Sequence, residues 1–263
     1  MTIGSLFSGI GGLELGLERA GLGPVRWQCE IDPFCRSVLQ KHWPTVERFH
    51  DVTQPRRYPK VDIICGGFPC QDVSSAGKRR GIGGARSGLW RHFASVVRQV
   101  KPRVVVVENV ASGKAAWLPT VRRDLHLLGY DSTAYALSAA DVGAPHRRRR
   151  LFVVAYAYRH SKSALPLNAE VAGASPSSSS DATNESELSS AGLASRSGSQ
   201  APPIGTGARL AGWGNPKPEM VRVVHGVPRG LDSARRKSLG NSVVPQCAEV
   251  IGRVIADQIA RAA

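Results

Sequence analysis

The chain has 263 residues, 42% of them hydrophobic and 21% charged, with a net charge of +15 at neutral pH. That length suits one sizeable α/β domain with a small second lobe. No apolar run reaches the ~18 residues of a membrane span, so no transmembrane helix and no membrane partner are expected. The excess of Lys and Arg favours a polyanionic partner, since cations neutralise phosphates and release counterions.

The charge is concentrated. Residues 71–103 hold eight Lys/Arg against one Asp, and residues 146–150 read His-Arg-Arg-Arg-Arg, whereas 158–212 carry four charges of each sign. The five cysteines, Cys29, Cys35, Cys65, Cys70 and Cys247, form no CxxC pair and no His/Cys zinc spacing. They read as reduced thiols of a cytoplasmic protein, most of them buried, and no metal site is expected. The N-terminus enters a strand-like run without a basic n-region, so no secretory signal is expected.

In chain order, Thr2–Phe7 reads as a strand, followed by a Gly-rich turn and a helix near Leu13–Ala20. Val25–Ile31 reads as a second strand, and a helix starts at Pro33, where the missing N–H costs nothing. Val61–Cys65 is a short apolar strand that opens into a polar loop, Gly66–Gly88. A helix near Leu89–Val100, a β-branched strand at Arg103–Val107, a helix near Leu118–Leu128, and strands near Thr133–Leu137 and Leu151–Ala155 follow. This alternation predicts an open, mostly parallel α/β sheet with helices on both faces. Residues 161–207 are rich in Ser, Ala, Gly and Pro and are expected to be a disordered insert. Pro245–Ala263 has apolar residues at helical spacing and should dock onto the sheet.

Six segments carry chemistry. Phe7-Ser8-Gly9-Ile10-Gly11-Gly12 closes the first strand, and its glycines let backbone approach a ligand at a helix N-terminus. Glu30 ends the second strand, where an acid can bind ribose hydroxyls. The pair points to an adenosine-type cofactor without separating nicotinamide from S-adenosylmethionine. Gly66-Gly67-Phe68-Pro69-Cys70-Gln71 places a cysteine beyond a parallel strand, in a loop with Lys78, Arg79, Arg80 and Arg86. Nearby cations favour the reactive thiolate over the buried inert thiol that an arbitrary cysteine would be. Glu108-Asn109-Val110 follows the next strand, as an acid beside the nucleophile or as a helix cap. In His146–Arg150, running into a strand, alternate arginines should point inward. Leu239–Gln246 reads as the entry to the last helix.

Taken in order, these segments resemble the DNA cytosine-5 methyltransferases, over residues 1–155 and about 213–263. The resemblance implies a Rossmann-like class I S-adenosylmethionine-dependent methyltransferase with a small target-recognition lobe. It divides the chain into a catalytic domain (1–155), a recognition region (156–237) containing the insert, and a completing segment (238–263). Cys70 would be the nucleophile, Glu108 would contact the cytosine ring at N3, and Arg148 and Arg150 would be the paired arginines, with Arg150 near O2. Cofactor contacts would come from Phe7, Ser8, Gly9, Gly11, Glu30, Ile31, Asp51, Val52, Pro69 and Leu89, with Asn241, Ser242 and Val243 closing the pocket. DNA contacts would come from Gln71, Ser74, Lys78, Arg79, Arg80, Arg86 and Arg222.

The implied reaction is base flipping in double-stranded DNA and methylation of C5 by a bacterial or phage-encoded monomer, acting either alone or alongside a separate restriction endonuclease. His146 stands where the family commonly has Gln. The charge map puts the small lobe's DNA contacts in 209–237, with the Ser-rich stretch as a tether. Three other readings remain: an RNA (tRNA) cytosine-5 methyltransferase on the same scaffold, a catalytically silent DNA-binding relative, and a nicotinamide oxidoreductase, which fits the glycine turn and Glu30 but explains neither Pro69-Cys70-Gln71 nor the basic loop.

Overall fold

The structure, a computed structural model, describes residues 1–69, 88–158 and 229–262. The elements are β1 (Ile3–Leu6), α1 (Gly12–Arg19), β2 (Val25–Cys29), α2 (Pro33–His42), β3 (Glu47–Phe49), β4 (Ile63–Gly66) and α3 (Leu89–Val100). They continue with β5 (Val104–Val110), α4 (Lys114–Leu127), β6 (Tyr130–Ser138), β7 (Arg149–Ala157), α5 (Arg229–Asn241) and α6 (Pro245–Ala262). The seven strands form one sheet in the order β3-β2-β1-β4-β5-β7-β6. β3 through β5 in that order run parallel, and β7 alone runs against them, pairing antiparallel with β5 on one side and with β6 on the other, so that β6 points the same way as the first five. The expected mostly parallel α/β sheet is therefore present.

Local chemistry explains the helix starts. Asp32 caps α2, its carboxylate accepting from the N–H groups of Phe34 and Cys35 with Pro33 in the first turn. α3 ends where Lys101 turns left-handed at φ 54. Alternation along the strands gives the sheet two apolar faces. On one, Leu6, Trp27, Ile64, Val105, Val107 and Val153 pack with the stripe Trp90, Phe93 and Val97 of α3 and with Trp117 of α4. On the other, Ile3, Ile63, Val106 and Val154 pack with Leu13 and Leu17 of α1 and with Ile251 and Ile255 of α6. Burying each such side chain contributes roughly 1.5–3 kcal/mol.

Three elements differ from the sequence expectation. β3 is an additional three-residue edge strand. Glu108 and Asn109 lie inside β5 rather than after it, each opposite a residue of β7. Asn241 closes a helix, α5, rather than opening the terminal one. α5 holds to the sheet unit through Lys237 Nζ to Asp32 Oδ2 at 3.3 Å and through Ser238 Oγ to Cys35 Sγ at 3.4 Å. No described helix is long and apolar enough to cross a membrane.

Candidate active site

Strand order reverses between β1 and β4, since β2 and β3 lie beyond β1 and β5 lies beyond β4. In an open α/β sheet the crevice at such a reversal, outside the carboxyl ends of the strands, is where ligands bind. Two of the sequence's segments flank it: the glycine turn after β1, and Gly67-Phe68-Pro69 after β4.

The glycine turn is built by backbone geometry. Gly9 and Gly11 take positive φ of 57 and 84, and Gly11 N–H closes the turn onto Ser8 O at 3.0 Å. Phe7 also sits at φ 54, a conformation strained for a bulky residue. Its half-buried ring stacks on Phe93 at 6.5 Å. Glu30 reaches this turn: one carboxylate oxygen accepts from Gly9 N–H at 2.7 Å and the other from Asp32 N–H at 2.8 Å. Each oxygen keeps a lone pair for a further donor. Ile31, beside it, is 67% exposed, which is unusual for a large apolar residue at a strand end. Asp51 and Val52 follow β3, and the Thr53 N–H and hydroxyl hold the Asp51 carboxyl below its ordinary range.

From the C-terminal side, the Val243 carbonyl lies against Gly12, where an added Cβ would come within 2.4 Å. That places Asn241, Ser242 and Val243 beside the turn, and Ser242 Oγ bonds back to Leu239 O at 3.1 Å. Leu89 opens α3 and is half-buried.

The second wall is Glu108. Gly66 pairs with Val107, so Gly67 comes level with Glu108. A Cβ on Gly67 would lie 2.5 Å from Glu108 Oε2, so only glycine leaves that carboxylate its position. Asn109 Nδ2 donates to Phe68 O at 3.1 Å and pins the same segment. Across β7, Arg150 Nε meets Glu108 Oε1 at 2.7 Å, both side chains being largely buried. Arg148 and Arg150 are half-buried whereas Arg147 and Arg149 are exposed, the alternation the sequence implied. Arg148 Nη2 donates to Gly240 O at 2.6 Å, tying this strand to the end of α5.

Burial raises the Glu108 pKa to about 7 against the opposing pull of Arg150 and Arg148. A carboxyl poised there can both give and take a proton near neutrality. Two participants escaped sequence reasoning. Asn109 was readable only as a cap, and Gly67 only as part of the segment that leads to Cys70.

Cys70, Gln71, Ser74, Lys78, Arg79, Arg80, Arg86 and Arg222 lie outside the described residues, as does the stretch 161–207. Pro69, the last described residue before Cys70, follows directly on the segment that Glu108 and Asn109 hold.

Comparison with known proteins adds the following. The profile of the C-5 cytosine-specific DNA methylase family matches residues 1–192. The chain is 36% identical over 176 residues to type II methyltransferase M2.BsuMI of Bacillus subtilis, covering 63% of this chain and 44% of that protein. It is 34% identical over 157 residues to type II methyltransferase M.HhaI of Haemophilus parahaemolyticus, covering 57% and 47%. The matches thus span about half the length of these curated relatives. Among solved structures, the S. pombe Dnmt2 methyltransferase shares the fold, with a TM-score of 0.51 at 21% identity, over 60% of this chain and 51% of that one.

Proposed function

Because the chain belongs to the C-5 cytosine-specific DNA methylase family, we propose that it methylates C5 of a flipped-out cytosine in duplex DNA, using S-adenosylmethionine and a covalent bond from Cys70 to C6. The observation that carries this reading is the buried Glu108–Arg150 pair set against Gly67, three residues before Cys70, just after β4, the strand that borders the sheet's switch point.

The residues around the glycine turn fit the cofactor. Glu30 has lone pairs for ribose hydroxyls, Phe7, Ile31 and Val52 offer apolar surface to an adenine, and the ionised Asp51 can accept from its amino group. When bound, S-adenosylmethionine supplies the electrophilic methyl group that C5 accepts. The protein's task is to make C5 nucleophilic. Cys70 thiolate adds to C6, the C5–C6 π pair shifts to form C4=C5, the C4–N3 π pair moves onto N3, and Glu108 delivers a proton there. Arg150 stabilises the charge that gathers at O2. After methylation, a base removes the C5 proton, C5=C6 re-forms, Cys70 leaves as thiolate, and N3 gives its proton back to Glu108.

The basic loop 71–88 and Arg222 are assigned to DNA, and residues 156–237 to target recognition. We place the protein in the cytoplasm as a monomer, and the type II names of its relatives make a separately acting cognate endonuclease one candidate partner.

Incubation with mixed-sequence DNA and labelled S-adenosylmethionine, followed by nucleoside analysis, tests the reading. 5-Methylcytosine in DNA is the expected product. Label in tRNA alone would transfer the reading to RNA, and none in either would reject it. Glu30→Ala should raise KM for the cofactor by about 10- to 100-fold, since charge-assisted hydrogen bonds that shape the turn disappear. Its kcat at saturating cofactor should fall far less. Gly67→Ala should lower kcat by about 100-fold, because the new methyl displaces the Glu108 carboxylate. Its KM for the cofactor should stay near the wild-type value, and equal loss in both constants would contradict the assignment.

A further inference from the structure

Beneath the glycine turn lies a polar cluster that the proposed chemistry does not use. Gln28, Ser5 and Cys65 stand side by side on adjacent strands, in register across β2, β1 and β4. They share the sheet face covered by α1 and α6. All three are buried, Ser5 to 1% exposure and the others to 0%. Ser8, in the turn itself, donates its hydroxyl to Ser5 Oγ at 2.9 Å. Glu14 projects from the first turn of α1 into this cluster and is 0% exposed. Neither of its carboxyl oxygens completes a hydrogen bond, and the Gln28 amide is likewise unpartnered.

A buried carboxyl without a partner is costly, and an apolar residue would fill the space at less expense. Burial pushes the Glu14 acid up to about 7, while the Ser5 and Ser8 hydroxyls pull the other way. The other charged or titratable groups around it are few. Glu30 raises it further. Cys65 is held as the neutral thiol by burial. Glu18, on the same helix, accepts from Trp43 Nε1 and Val25 N–H. Glu249, on α6, is paired with Arg253. The largest influences on Glu14, after burial, are hydrogen-bonding groups and the Glu30 carboxylate.

We propose that Glu14 is a positioning residue for the cofactor: through the Ser5–Ser8 hydroxyl pair it fixes the Ser8–Gly11 backbone in its binding shape. It acts through the turn and touches no reacting atom. The uncharged acid has both a donor and an acceptor oxygen to offer the Ser8–Ser5 hydroxyl pair beside it. The carboxylate can only accept, and once charged it draws donors toward itself and away from the turn. Cofactor affinity should therefore be full below neutrality and fall as pH rises through about 7.

This inference rests on the cofactor reading above, and the test separates the two. Binding of S-adenosylhomocysteine would be measured by calorimetry between pH 5.5 and 8.5, on the full chain and on Glu14→Gln and Glu14→Leu, with melting curves as a check on folding. The wild type should lose about tenfold in affinity across that range. Glu14→Gln, a permanently neutral isostere, should bind like the wild type at pH 5.5 and stay flat to pH 8.5. Glu14→Leu should bind weakly at every pH. Should the Leu variant fail to fold, the Gln comparison alone decides. A Gln variant with the wild-type pH profile, or one as weak as Leu, would overturn the role of Glu14. Absence of binding by the wild type at any pH would overturn the cofactor reading, and this inference with it.

Discussion

Cys70→Ala is expected to abolish methyl transfer, with a loss of about 10⁴-fold or more, while S-adenosylhomocysteine binding persists. The size of the loss follows from the chemistry. Cytosine C5 is a poor nucleophile until a group adds at C6, and neither Glu108 nor the arginines can supply that bond. The cations of residues 78–86 should lower the thiol's pKa and raise its thiolate fraction. Cys29, Cys35, Cys65 and Cys247 cannot substitute, because all four are buried and burial raises each of their pKa values. Residual activity within tenfold of the wild type would mean that some other group attacks the base.

Glu108→Gln should slow turnover by about 10²–10⁴-fold, the usual contribution of a positioned proton donor. The amide keeps the shape of the carboxyl but cannot hand its proton to N3. Because burial raises the Glu108 acid to about 7, the wild-type rate should fall as pH rises through that value. The variant should lack this limb. The same shift affects stability. The folded state keeps a proton on Glu108 that the unfolded chain releases near 4.5. The contribution is full below that pH and lost as pH rises through about 7. Wild-type melting should thus fall between pH 5 and pH 8 more steeply than that of the Gln variant. Parallel pH dependence of the two, in rate and in melting, would remove Glu108 from the proton-transfer role.

How much of this was legible in the sequence varied with the physics that sets each element. The strand ends that deliver the glycine turn and Gly67-Phe68-Pro69 follow from long apolar runs, which burial dictates. The inward set of Arg148 and Arg150 follows from strand alternation alone. β3 was not legible because its three residues, Glu47–Phe49, bury only Phe49 and hold their place by pairing with β2. α5 was not legible for a similar reason. It is polar, and it is positioned by Lys237, Ser238 and Gly240, through contacts with Asp32, Cys35 and Arg148 that only the fold brings near. Glu108 was legible as an acid near the nucleophile, but its place inside a strand was not, because a charged residue is an unusual member of a buried strand. In the strand it is sustained by Arg150, which lies 42 positions further along the chain. Nothing in the sequence singled out Glu14, whose burial is a tertiary fact.

The central claim is a covalent bond between Cys70 and cytosine C6, and 5-fluorocytosine in duplex DNA tests it most directly. Fluorine at C5 leaves no proton for the base to remove after methylation, so the adduct cannot collapse. With S-adenosylmethionine present, the account predicts a stable protein–DNA complex whose digestion yields a methylated fluorocytosine on the Cys70 peptide, and no complex with Cys70→Ala. If the wild type methylates ordinary DNA yet forms no adduct with the fluorinated strand, or carries the base on another residue, the assignment of Cys70 is wrong.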